Sequence, residues 1–126
     1  MKTISKDELT AKLGSPNLVV VNVLDPGAFE KIHIRDSVSI PQSQLEAGKW
    51  KELDKTKEIV VHCSSYTCNR SREATQFLEK QGFNVKAYEG GMKEWAEAGL
   101  PTEGKLKPKQ FLAEKYGNSA TMPSTT

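Results

Sequence analysis

Both cysteines of the chain, one of its two histidines and two of its arginines fall within one stretch, "VVHCSSYTCNRSREA", from Val60 to Ala74. Those residue types suit nucleophilic sulfur chemistry. A free thiol is only a few per cent ionised at pH 7, but one that faces a helix N-terminus and a guanidinium can be ionised much further. Cys63 has that position. Arg70 and Arg72 stand in the first turn of the helix predicted to follow, where a cation opposes the helix dipole unless an anion in the loop offsets the cost. The alternative for Cys63 is a small buried hydrophobe at a strand end. Two cysteines are too few for a disulfide framework, and no further cysteine or well-placed histidine completes a four-ligand zinc site, so no metal is expected.

The flanking patterns give this cluster an address. "EIVVHC" is a continuous apolar run of the kind that forms a buried parallel strand. "NRSREATQFLEKQG" carries Ala74, Phe77, Leu78 and Gln81 on helical spacing, with Gly82 as its stop. The cluster is therefore the loop between the C-terminal end of a strand and a helix N-terminus, where ligands collect in open α/β sheets. Elsewhere, "SKDE" at Ser5 to Glu8 is a capping box ahead of a short helix that ends near Gly14. "NLVVVNV" reads as a second buried strand, and Asp25 and Pro26 open a helix after it. "DSVSIP" is a short strand stopped by Pro41, "FNVKAYE" a last strand and "GGMKEWAEAG" a short helix. Alternating strands and helices predict an α/β domain with a mainly parallel central sheet of about five strands and helices on both faces.

Composition narrows the function classes. A chain of 126 residues, 37% hydrophobic and 27% charged, fits one globular domain with a single core. A net charge of +2 with scattered lysines provides no footprint for nucleic acid. No apolar run reaches membrane-spanning length and "MKTISKDELT" lacks a signal-peptide core, so no membrane partner and a cytoplasmic location are expected.

At this point the residues resemble the rhodanese-like sulfurtransferase domains, over roughly Ile4 to Pro101. "VKAYEGGMKEWAEAGLP" is similar to the closing block of that family, with a strand, a Gly-Gly turn, a Trp on a short helix and Gly-Leu-Pro. "NVLDPGAFEKIHIRDSVSIP" is similar to its early block, although Asn22, Leu24 and Ile32 stand where the family has an acid, an arginine and a glycine. The resemblance implies a three-layer rhodanese-like domain at 1–101. It implies that Cys63 takes a sulfane sulfur from a donor such as thiosulfate, holds it as a persulfide and passes it to a thiol or cyanide, without cofactor. A loop that presents backbone N–H groups inward would stabilise the anionic outer sulfur.

The loop itself departs from the pattern. Cys63 to Arg70 spans eight residues, longer than the usual family loop and than those of the related dual-specificity phosphatases and arsenate reductases. Counting the usual length back from Arg70 lands on Ser65, which would make an inactive relative. Cys63 is preferred because "EIVV" fixes the strand end and a longer loop is easier to accommodate than a shifted strand. The sequence is similar to a minority of the family with a second cysteine five residues on, here Cys68, and a serine three further, here Ser71. The candidate binding loop is then Ser64, Ser65, Tyr66, Thr67, Cys68, Asn69, Arg70 and Ser71. Cys68 is a candidate resolving thiol or a bystander; Arg70 holds an anionic donor or is solvated; Ser71 caps the helix or lines the loop. His62 should face away from Cys63, in a structural role rather than as a general base, the lesser alternative. His33 reads as a hydrogen-bonded fold residue, Trp95 as core, and Gly90 and Gly91 as a tight turn beside the loop.

Residues 102–126 read as an extension, partly helical and then disordered, either solvated or, as the lesser alternative, docked onto the domain or a second copy, with Lys105, Lys107 and Lys109 as a modest basic patch and a monomer or weak homodimer as the assembly. Two functions from different classes fit: a sulfurtransferase or persulfide carrier, and a non-catalytic rhodanese-like module that binds a partner or senses redox state through Cys63 and Cys68. A phosphatase or arsenate reductase is a weaker third.

Overall fold

The computed structural model describes residues 1–117. The chain runs α1 (Lys6–Lys12), β1 (Leu18–Asn22), α2 (Pro26–Lys31), β2 (His33–Ile34), β3 (Val38–Ser39), α3 (Gln42–Ala47), a 3-10 turn (Lys49–Glu52), β4 (Glu58–His62), α4 (Arg70–Lys80), β5 (Val85–Tyr88), α5 (Gly91–Glu97), β6 (Thr102–Glu103) and α6 (Pro108–Tyr116). The main sheet has the order β3-β1-β4-β5, all parallel. It has four strands rather than about five. The N-terminal segment starts a fifth at the β5 edge, where Ile4 N–H donates to the Ala87 carbonyl at 3.0 Å and Ala87 N–H to the Lys2 carbonyl at 2.9 Å. It goes no further because Ser5 begins a capped helix: the Ser5 hydroxyl accepts from Glu8 N–H and the Glu8 carboxylate from Ser5 N–H, both at 3.1 Å.

Strand periodicity divides the core into two layers. Val21, Val23, Ile59, Val61, Cys63 and Val85 face one side, packed against Leu45 of α3 and Ala74 and Leu78 of α4. Val20, Val60 and Tyr88 face the other, against Leu9 of α1, Met92 and Trp95 of α5, and Phe111 of α6. The β-branched runs at β1 and β4 are central strands covered on both faces, which explains why they show no polar alternation. α3 and the 3-10 turn have no counterpart in the sequence reading.

The extension after Pro101 is docked, not solvated, as far as Tyr116. β6 pairs antiparallel with β2, His33 opposite Glu103 and Ile34 opposite Thr102. Lys105 and Leu106 N–H donate to the Glu30 and Lys31 carbonyls at 3.0 and 2.8 Å, and Phe111 is buried. A two-residue strand and one buried aromatic are too short for a periodic signal. The tail from Asn118 to Thr126, read from the sequence as disordered, lies outside the described residues. Among the described residues no helix is long and apolar enough to cross a membrane.

Candidate functional site

Cys63 follows β4 directly, and six loop residues separate it from Arg70 at the start of α4. Ser65 to Cys68 form a turn closed by Cys68 N–H donating to the Ser65 carbonyl at 3.1 Å, with Ser65 Oγ and Thr67 Oγ1 3.0 Å apart. The segment "CSSYTC" thus curls back on itself. Cys63 is 1% exposed. Its thiol donates to the Cys68 carbonyl oxygen at 3.5 Å and its Sγ lies 3.4 Å from Ser71 Oγ. Ser71 is buried and lines the loop; α4 begins after Asn69 with no side-chain cap. Cys68 is partly exposed, and both thiols are free.

The two sulfurs differ electrostatically, and not in the sense the sequence suggests. Burial, followed by the hydrogen bond with Cys68, pushes the Cys63 thiol above its ordinary value, and the contacts with Ser71 do not compensate. Cys68 goes the other way. Burial raises it, but hydrogen bonds from the Cys63 thiol, from the backbone of Arg70 and Ser64 and from the Ser64 side chain outweigh that and hold it below its ordinary value. The expectation of an acidic Cys63 is therefore corrected: its sulfur meets a carbonyl oxygen, which needs the S–H, while the donors converge on Cys68.

α5 clamps the loop from below. Met92 N–H donates to the Cys63 carbonyl at 3.0 Å and Lys93 N–H to the Ser64 carbonyl at 2.9 Å. Gly91 makes that approach possible. Its φ is +64°, and a Cβ there would stand 2.6 Å from the Cys63 carbonyl oxygen and 2.7 Å from Ser65 N. Tyr66 is exposed at the loop tip and its hydroxyl donates to Glu94 of α5 at 3.3 Å. Arg72 straps the outer side: it donates to the Tyr66 carbonyl at 3.3 Å, to Glu89 at 3.5 Å and to Asn69 Oδ1. The strapping by Arg72 and Glu89 was not visible in the sequence, since it depends on a partner seventeen residues away. The Arg70 side chain is half exposed with Asp25 3.9 Å away, while its backbone N–H is one of the donors to Cys68.

His62 points to the opposite face from Cys63 and is fully buried. Its Nδ1–H donates to the Cys63 carbonyl at 3.2 Å, while Nε2 has no hydrogen-bond partner among the described residues. Burial holds the imidazole neutral, its pKa lowered to about 4. His33 stacks on Phe29 with centroids 3.7 Å apart and hydrogen-bonds the Phe29 carbonyl at 2.8 Å, so it ties α2 to β2. Trp95 is core, with its Nε1–H on the Pro101 carbonyl at 2.8 Å. Asn22 turns its Oδ1 to Leu24 N–H at 2.9 Å. A cleft of about 540 Å³ opens beside the loop between α2 and α6, floored by Leu24, Ile32, Met92 and Phe111 and reaching Ser64. Among the described residues no cluster of three or more His, Cys, Asp or Glu side chains could hold a metal ion.

The family model described as "Rhodanese-like domain" matches residues 5–98. The chain is similar to the thiosulfate sulfurtransferase GlpE of Pseudomonas syringae pv. syringae, 38% identical over 89 residues that cover 70% of this chain and 81% of that protein. It is also similar to an HTH-type transcriptional regulator of Mycobacterium tuberculosis, 29% identical over 100 residues that cover 79% of this chain and 44% of that protein. The chain thus spans less than half the length of that relative. The crystal structure of a rhodanese-related protein from Thermoplasma volcanium superposes with a TM-score of 0.75 at 31% identity, covering 83% of this chain and 100% of that one.

Proposed function

The chain belongs to the rhodanese-like domain family, and on that premise we propose that it is a sulfurtransferase or persulfide carrier whose sulfane sulfur is held on Cys63. The observation that carries this reading is the placement of Cys63 at the C-terminal end of β4, in a loop drawn around it by two hydrogen bonds from α5 to its Cys63 and Ser64 carbonyls. With thiosulfate as donor, a cysteine thiolate attacks the outer sulfur, the S–S bond to the sulfonate sulfur breaks and sulfite leaves with the electron pair. A thiol or cyanide acceptor then takes the outer sulfur and returns the thiolate. No metal or organic cofactor enters either step. In this reading Ser64 to Ser71 surround the transferred sulfur, and the half-exposed Arg70 guanidinium, 3.9 Å from Asp25, is the cation that receives an anionic donor. A cytoplasmic location and a monomer or weak homodimer belong to the same reading.

The test is transfer from thiosulfate to cyanide, with thiocyanate as the product measured. Wild-type protein should turn over, and Cys63→Ser should lower turnover by roughly 10³-fold or more, since a hydroxyl carries no persulfide. Undiminished turnover in Cys63→Ser would remove Cys63 from the reaction.

The closeness of the Cys63 thiol to Cys68 favours one other reading, a non-catalytic module that senses redox state by closing a Cys63–Cys68 disulfide. Under it, mild peroxide produces an internally crosslinked loop peptide while thiosulfate leaves the protein mass unchanged.

A further inference from the structure

The proposed reaction needs a thiolate that a dissolved donor can reach, and the two sulfurs of the loop share those requirements unequally. Cys63 is 1% exposed, and its hydrogen bond to the Cys68 carbonyl oxygen exists only while the sulfur carries a proton. Cys68 is the partly exposed thiol. It sits at the close of the Ser65–Cys68 turn, one residue before the cap of α4, an eleven-residue helix whose first N–H groups face back into the loop. The Cys63 thiol is itself a hydrogen-bond partner of Cys68. A protonated Cys63 keeps its hydrogen bond to the Cys68 carbonyl, and the donors around Cys68 favour the thiolate there rather than at Cys63.

We infer that Cys68 takes the sulfane sulfur from the donor first and hands it inward to Cys63. This rests on the sulfurtransferase reading and names the order of its two thiols. In the first step the Cys68 thiolate attacks the outer sulfur of thiosulfate; the new S–S bond forms at Cys68 and sulfite leaves with the electrons of the old one. In the second step the Cys63 sulfur attacks the outer sulfur of the Cys68 persulfide, the S–S bond at Cys68 breaks with its electron pair going to the Cys68 sulfur, and the Cys63 proton passes to that leaving sulfur. Cys63 becomes the persulfide and Cys68 regains its thiol, with no change in overall oxidation state. The outer sulfur on Cys63 stands about 2 Å beyond Sγ. The lower pKa of Cys68 and the raised one of Cys63 agree with this order.

The experiment is single-turnover loading of the full chain with thiosulfate, followed by intact mass and by fragment-ion mapping of the peptide that holds both cysteines. Cys63→Ser should still gain one sulfur, at Cys68, while losing turnover to cyanide. Cys68→Ser should load roughly tenfold more slowly or worse. As a check without mutation, sub-stoichiometric iodoacetamide on wild-type protein should label Cys68 before Cys63 and block loading in proportion. Loading of Cys68→Ser at the wild-type rate, or first labelling at Cys63, overturns the order of the thiols and leaves the sulfurtransferase reading standing. Wild-type protein that takes up no sulfur overturns both.

Discussion

Two segments of the chain are tied down by opposite means. The loop from Cys63 to Asn69 is held mainly through polar groups: two carbonyls accept from α5, its turn closes on itself, and Arg72 spans its outer side. The return from Thr102 to Tyr116 is held mainly by burial, with Phe111 in the same apolar layer as Trp95 and Leu106 packed against it. The difference teaches what each segment is for. Hydrogen bonds fix orientation to tenths of an ångström but contribute about 1 kcal/mol each, whereas apolar burial stabilises more and specifies position less. A segment that must present sulfur in one geometry is built the first way, and a segment that closes a core layer the second.

Gly91→Ala should break the comparison most severely, because it strikes the loop through its backbone. The added Cβ meets carbonyl and amide atoms of Cys63, Ser64 and Ser65 at 2.6 to 2.7 Å. Urea unfolding should show a loss of about 3 kcal/mol or more, and sulfur loading should fall at least about tenfold in protein that remains folded. Loading at the wild-type rate would mean that the clamp from α5 does not set the loop.

Phe111→Ala should show the other half. Truncating this buried ring costs about 3 kcal/mol by urea unfolding, while single-turnover loading from thiosulfate stays within about twofold of wild type. A large drop in loading, with the fold intact, would show that the two segments are coupled through the cleft they share at Ser64.

The smallest effect concerns His62, which joins the loop to the opposite layer through the Cys63 carbonyl. Its pKa is lowered from 6.5 to about 4 by burial, so the unfolded chain binds the extra proton between those values and the folded one does not. Stability from this group is complete above about pH 6.5 and declines as the pH falls towards 4. From pH 7 to pH 5 the loss should be about 2 kcal/mol. His62→Gln should flatten that part of the curve relative to wild type; a wild-type curve that parallels the variant's would mean that His62 is solvated or charged in the fold.

The sequence made much of this legible, for identifiable reasons. Gly91 and the Cys63 loop could be placed because a Gly-Gly turn and a β-branched run ending in cysteine are local patterns with one structural meaning. The Ser5–Glu8 capping box and the helix over Arg70–Lys80 were readable on the same ground. The docking of residues 102–116 was not, because β6 gains its meaning only from β2, some seventy residues earlier. Arg72 is not readable as a strap, since its position on α4 says nothing about Glu89.

What the sequence determined by itself is the alternation of the longer strands and helices, the mainly parallel sheet and the place of the two cysteines in the loop after β4. These follow from periodicity and from chemical punctuation along the chain, which depend on near neighbours. Tertiary structure alone decided which cysteine is exposed, which sulfur faces a carbonyl oxygen and which faces N–H donors. Proton affinity is set by burial and by dipoles that reach a site through space, so identical residues five positions apart acquire opposite character.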